Sequence, residues 1–174
     1  EAKERRNIIP RMRRKYPCKS VPLVHRAGIR YISHTWPMRT DYPAKVLLAW
    51  GEAIAGNGQL RDWLMRNGYP ELGIFTFALR HHQESRDWLM KNGHPHLMAI
   101  ITGIEGDKNA LAWLEHHHFP ALKHLALVGD GVETSVRWLI DNGQRELALA
   151  GLKMHQVKSA IDEEHSDPHK FSQE

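Results

Sequence analysis

Apolar residues recur between residues 44 and 168 on two nested rhythms. At short range, apolar or small side chains fall at i, i+3, i+4 and i+7, as in Leu72, Phe75, Thr76 and Leu79 or in Leu97, Ile100, Ile101 and Ile104. That spacing is one face of an α-helix. At long range the whole pattern returns every 25 residues: Trp63, Trp88, Trp113 and Trp138 are evenly spaced, and "RDWLMRNGYPEL" comes back as "RDWLMKNGHPHL". Five gapless copies result, 44–68, 69–93, 94–118, 119–143 and 144–168, with Leu47, Leu72, Leu97, Leu122 and Leu147 in fourth place.

Each copy predicts two helices. The first carries the apolar face; a break follows at "HHQ", "GDK" or "GDG"; the second carries a Trp-Leu pair. Gly68, Gly93 and Gly143 stand where a left-handed C-cap is wanted, a conformation glycine adopts without a Cβ clash. Pro70, Pro95 and Pro120 follow two residues later, at a first helical turn where a missing N–H does no harm. Copy 3 has His118 in the glycine place, so its turn must find another geometry or carry strain.

Short helix pairs cannot bury their apolar stripes alone, so successive copies stack. The expected fold is all-α, an α-solenoid of five 25-residue helix-turn-helix repeats over 44–168. The four tryptophans read as a packing ladder inside it; Trp36 and Trp50 lie off that ladder and are expected to be more exposed. In copy 5 the Trp-Leu pair becomes Glu163-Glu164, which predicts a polar terminal cap before a frayed tail, 169–174.

Residues 1–43 do not repeat. "VPLVHRAGIRYISHTW" has the β-branched and aromatic content of a small hairpin around Ala27-Gly28, expected to cap the exposed first face of the stack. Charge divides the chain at the same place: residues 1–41 hold 11 Lys or Arg against 3 acids, and residues 42–174 hold 13 against 17. The basic arm therefore suits a polyanion, and the repeats do not. No apolar run is long enough to span a membrane. The single cysteine, Cys18, and a charged start without an apolar signal region point to the cytoplasm.

Two constellations carry candidate chemistry. The end of one copy and the start of the next share an edge, which gathers His94, His96, His117 and His118 onto neighbouring turns. Neutral imidazoles at that density can hold zinc or nickel; the competing reading is a water-facing turn. Arg5, Arg6, Arg11, Arg13, Arg14 and Lys15 suit phosphate contacts, so nucleic acid is a candidate partner of the arm; the competing reading has the arm docking on an acidic surface. Ser85, Thr134 and Ser135 have no His or Asp at a motif spacing, and no phosphate-binding or dinucleotide-binding loop occurs. The reading is non-enzymatic, with no cofactor. Asp62 and Asp87, beside Arg61 and Arg86, read as solvated ion pairs.

The run "HLALVGDGVETSVRWLIDNG" at 124–143 resembles the helical part of an ankyrin repeat, and the likeness extends over about residues 44–165. It implies a protein-binding scaffold whose partner is an unidentified protein. The period is 25 against ~33 in that family, and no copy opens with Thr-Pro-Leu-His. Such a copy leaves no room for the family's projecting β-turn finger.

Overall fold

The computed structural model describes residues 39–166. The basic arm, the expected hairpin, Cys18, Trp36 and the tail lie outside the described residues. Among the described residues there are nine α-helices and no strand: α1 (Ala44–Ile54), α2 (Gly58–Arg66), α3 (Pro70–Ala78), α4 (Gln83–Lys91), α5 (Pro95–Ile104), α6 (Lys108–His116), α7 (Pro120–Gly129), α8 (Glu133–Asp141) and α9 (Arg145–Ser166). Consecutive helices pack against their neighbours in solenoid fashion.

The turns follow the repeat closely. Proline opens α3, α5 and α7. The position after each second helix is left-handed, with φ of 90° at Gly68, 80° at Gly93 and 73° at Gly143; His118 adopts the same geometry at 60°. The histidine therefore keeps the glycine conformation and accepts its strain. Within the copies a second left-handed position recurs at Gly56, His81, Gly106 and Gly131.

That second position explains where the fifth copy departs from expectation. Its equivalent is Gln156, followed by Val157 in the N-cap place held by Asn57, His82 and Asp107 in copies 1 to 3. Without a left-handed residue or a capping side chain nothing stops the helix. The last copy is accordingly one continuous helix of 22 residues, not a hairpin.

The first helices and α9 form an inner layer, and α2, α4, α6 and α8 an outer one. Each outer helix inserts one fully buried leucine, Leu64, Leu89, Leu114 and Leu139, into a shared core that runs from Val46 to Met154. The tryptophan beside each leucine lies shallower: Trp88, Trp113 and Trp138 are half-buried and pack against that core, in keeping with the expected ladder, while Trp63 departs from it. Adjacent residues on a helix point about 100° apart, so the tryptophans fall at the layer's border. There Trp63 stacks on Tyr69, Trp88 on His94, Trp113 on His117 and Trp138 on His124. Trp63 is 42% exposed.

Helix α9 packs on both α7 and α1, so the last inner helix touches the first. Small residues permit the approach: Ala150 lies against Gly51, and a Cβ at Gly151 would meet Val128 at 2.8 Å. Cations seal the C-terminal ends of the inner helices, where carbonyls lack partners. Arg80 donates to the Ile54 carbonyl at 2.8 Å, Arg86 to Ala78 at 3.0 Å, and Lys158 of α9 to Ile104 at 2.8 Å. Arg86 also pairs with Glu105 of the next copy, so it is an inter-copy staple rather than a solvated charge.

Candidate functional site

At the opposite end of the inner layer, the starts of α1, α5, α7 and α9 surround a cavity of about 390 Å³. Its apolar wall includes Leu47, Ile100, Leu122 and Leu147, and its polar groups include Arg39, Asp41, Gln144 and Glu146. Two further lining residues, Trp50 and His96, have side-chain nitrogens closed off from solvent.

His96 follows Pro95 in the first turn of α5. The equivalent place holds Glu71 in α3, Ala121 in α7 and Glu146 in α9. Glu71 shows how a polar group is accommodated there: it is buried, accepts a 3.1 Å hydrogen bond from the Tyr42 hydroxyl, and lies 3.9 Å from the Arg39 guanidinium. That guanidinium stacks over Tyr69 at 4.3 Å and donates to the Gly68 carbonyl at 2.9 Å. His96 has no such arrangement. It is 1% exposed, with both ring nitrogens closed off from solvent. Burial, reinforced by His94, pushes its pKa down to about 4, against the opposing effect of a hydrogen bond with the Arg39 backbone. The imidazole is neutral at pH 7, with one N–H to give and one lone pair to fill.

Trp50 is 1% exposed, which corrects the expectation that it would be more exposed. It holds the seventh place of copy 1, equivalent to Phe75 and Ile100, and its ring meets Phe75 edge-on at 4.9 Å. The indole Nε1–H is buried and unpartnered; buried indoles normally find an acceptor. Register alone makes Trp50 a core residue. Nothing in the sequence pattern marks its nitrogen.

The four histidines expected at the shared edge are not gathered into one ligand set. Among the described residues no group of three or more His, Cys, Asp or Glu is placed to hold a metal ion. Each ring serves its turn instead. His117 stacks on Trp113 at 4.0 Å with its Nδ1 2.9 Å from the Trp113 carbonyl, standing in for Asn67, Asn92 and Asn142, which cap the matching tryptophan carbonyls. His118 fills the left-handed place. His94 stacks on Trp88, with its ring centre 6.0 Å from that of His96, and burial lowers its pKa. Of the four, the rings of His94 and His96 lie beside one another. The arginines and lysine of the phosphate-binding expectation lie outside the described residues.

Two serine–histidine contacts escaped the sequence motifs. His82 Nδ1 lies 2.9 Å from Ser85 Oγ and caps α4 through the Ser85 N–H. His124 Nδ1 lies 3.1 Å from Ser135 Oγ while its ring stacks on Trp138. Both serines are buried, out of a substrate's reach. A depression of about 700 Å³ at the other end contains Arg80 and Lys153, cations already engaged with the Ile54 carbonyl and with Glu52.

Among the described residues no helix is long and apolar enough to cross a membrane. In comparison with protein families, curated proteins and solved structures, nothing matches the chain.

Proposed function

We propose that the chain is a non-enzymatic protein-binding scaffold, ankyrin-like in its helix pairs and working in the cytoplasm. The observation that supports this reading is an uncovered helix face. Among the described residues, a second helix lies over the first in each of the first four copies, whereas α9 has none. Leu149 and Leu152 of α9 are 50% and 41% exposed, and Leu48 of α1, the helix α9 packs against, is 47% exposed. Exposed leucines at i and i+3 on one helix are the anchor spacing of helix-in-groove recognition, and buried apolar anchors carry most of the energy of protein interfaces.

A photo-crosslinking residue at position 149 tests the proposal in cells expressing the full chain. A discrete crosslinked protein is expected, lost when Leu48 and Leu152 are changed to Arg while circular dichroism stays native. No crosslinked protein, or one indifferent to those changes, counts against it.

A second reading, contact with nucleic acid through the arm, is favoured by the charge division between 1–41 and 42–174. Binding of a generic duplex that falls steeply with salt and disappears without residues 1–15 supports it. No binding at low salt removes it.

A further inference from the structure

We propose that Glu71, Tyr42, Tyr69 and the Gly68 carbonyl form a recognition site for an arginine side chain, filled here by the chain's own Arg39 and open to exchange with an arginine of a second polypeptide.

The ligand class is read from what surrounds one guanidinium. Arg39 Nη1 donates to the Gly68 carbonyl at 2.9 Å and lies 3.9 Å from Glu71 Oε1. Its planar centre sits 4.3 Å from the Tyr69 ring and 5.3 Å from the Tyr42 ring, and the two rings are 6.2 Å apart. A carboxylate, a carbonyl and two aromatic faces select a guanidinium over an ammonium. The planar fork matches the oxygens and lies on the rings, whereas a lysine head is a compact, strongly hydrated point charge. Tyr42 orients the carboxylate: its hydroxyl donates to Glu71 Oε1 at 3.1 Å. Burial, together with the Glu71 charge, raises the Tyr42 pKa, so the proton stays on the phenol.

Comparison of the copies singles this place out. Positions 69 and 71 are Tyr and Glu; the same places hold His94 and His96, Phe119 and Ala121, Gln144 and Glu146. Copy 2 thus combines an aromatic ring with an acid, and the acid is buried. A buried carboxylate destabilises a fold unless a cation answers it.

The present occupant is suited to exchange. The Arg39 side chain is 43% exposed, and its 3.9 Å approach to Glu71 is longer than the ~2.7–2.9 Å of a charge-assisted hydrogen bond. Arg39 stands three residues before Tyr42, so its own backbone limits how it enters. An arginine arriving from solvent is free of that tether. The aromatic surface also continues outward, because the exposed Trp63 ring stacks on Tyr69 at 6.4 Å. None of these residues belongs to the uncovered face of α9.

A tethered occupant competes at about millimolar effective concentration, so the test removes it. Full-length Arg39→Ala is titrated with N-acetyl-arginine amide and with its lysine and citrulline counterparts. The readout is the Trp63 indole N–H resonance in ¹⁵N-labelled protein, assigned by its loss in Trp63→Phe. The arginine probe should shift that resonance saturably, at least about tenfold more tightly than the other two, since one lacks the planar fork and the other the charge. The native chain should show the same shift with affinity at least about tenfold weaker. Adding Glu71→Gln should abolish the preference for arginine over citrulline. The proposal is overturned if Arg39→Ala shows no saturable shift, if lysine or citrulline binds as well as arginine, or if the native chain binds either as tightly as the variant or not at all. Should Arg39→Ala fail to fold, Arg39→Lys, which keeps a cation without the planar fork, is titrated in its place.

Discussion

Acidification is a direct probe of His96, because its burial makes a quantitative claim about stability. Its pKa is lowered in the folded chain, so the unfolded chain takes up the proton first and stability falls as pH drops. The contribution is fully present above the ordinary imidazole value and is lost between about 6.5 and about 4. At ~1.4 kcal/mol per pH step that interval amounts to about 3 kcal/mol in all, of which about 2 kcal/mol falls between pH 7 and pH 5. His94 adds to the loss with the same sign, since its pKa is also lowered by burial. Urea melts of the native chain and of His96→Leu at pH 7, 6 and 5 separate the two. The native chain should lose about 2 kcal/mol or more over that range, and the leucine variant about 2 kcal/mol less than the native chain. An equal pH slope in both proteins would refute the claim that His96 is held neutral by burial.

Three further outcomes follow from the packing. Met154, fully buried in α9, should cost about 2–5 kcal/mol when changed to Ala, and hydrogen exchange should speed up in α1 as well as α7; protection retained in α1 would show that α9 does not tie the two together. His118→Gly should stabilise by about 0.5–1 kcal/mol, since a non-glycine residue at φ 60° carries strain that glycine relieves; a lower melting temperature in calorimetry contradicts this. Arg86→Ala should cost about 1–3 kcal/mol in chemical denaturation, because it removes a hydrogen bond to Ala78 and the Glu105 pair together; a loss of only a few tenths would make it a solvated surface charge after all.

The helix pairs, their turns and their boundaries were legible in the sequence because they depend on local chemistry repeated in register. Gly68, Gly93 and Gly143 need no tertiary context to adopt φ above zero, nor do the prolines to open a helix. Depth was less legible. A residue that recurs every 25 positions recurs in the same environment, but recurrence does not say whether that environment is core or border. The tryptophans prove to be border and their leucine neighbours core. Register did contain the answer for Trp50, which shares its place with Phe75 and Ile100, inner-layer residues on any reading of the apolar face. The continuous α9 was also written in the chain, as Gln156 and Val157 where a turn residue and a cap should be.

The cavity was not legible, for a physical reason that bears on repeat proteins generally. A solenoid whose copies met only their neighbours would give each inner helix the same surroundings, and an odd residue such as His96 would look like drift between copies. Because α9 reaches back to α1, helices far apart in sequence share one end of the inner layer, and residues of α1, α5, α7 and α9 line a common space. The place that holds a paired carboxylate at Glu71 then holds a buried, neutral imidazole at His96. Nothing local distinguishes the two. Their difference lies in their neighbours: Glu71 meets Tyr42 and Arg39, and His96 meets His94 and Phe119 beside the space between helices from four separate copies.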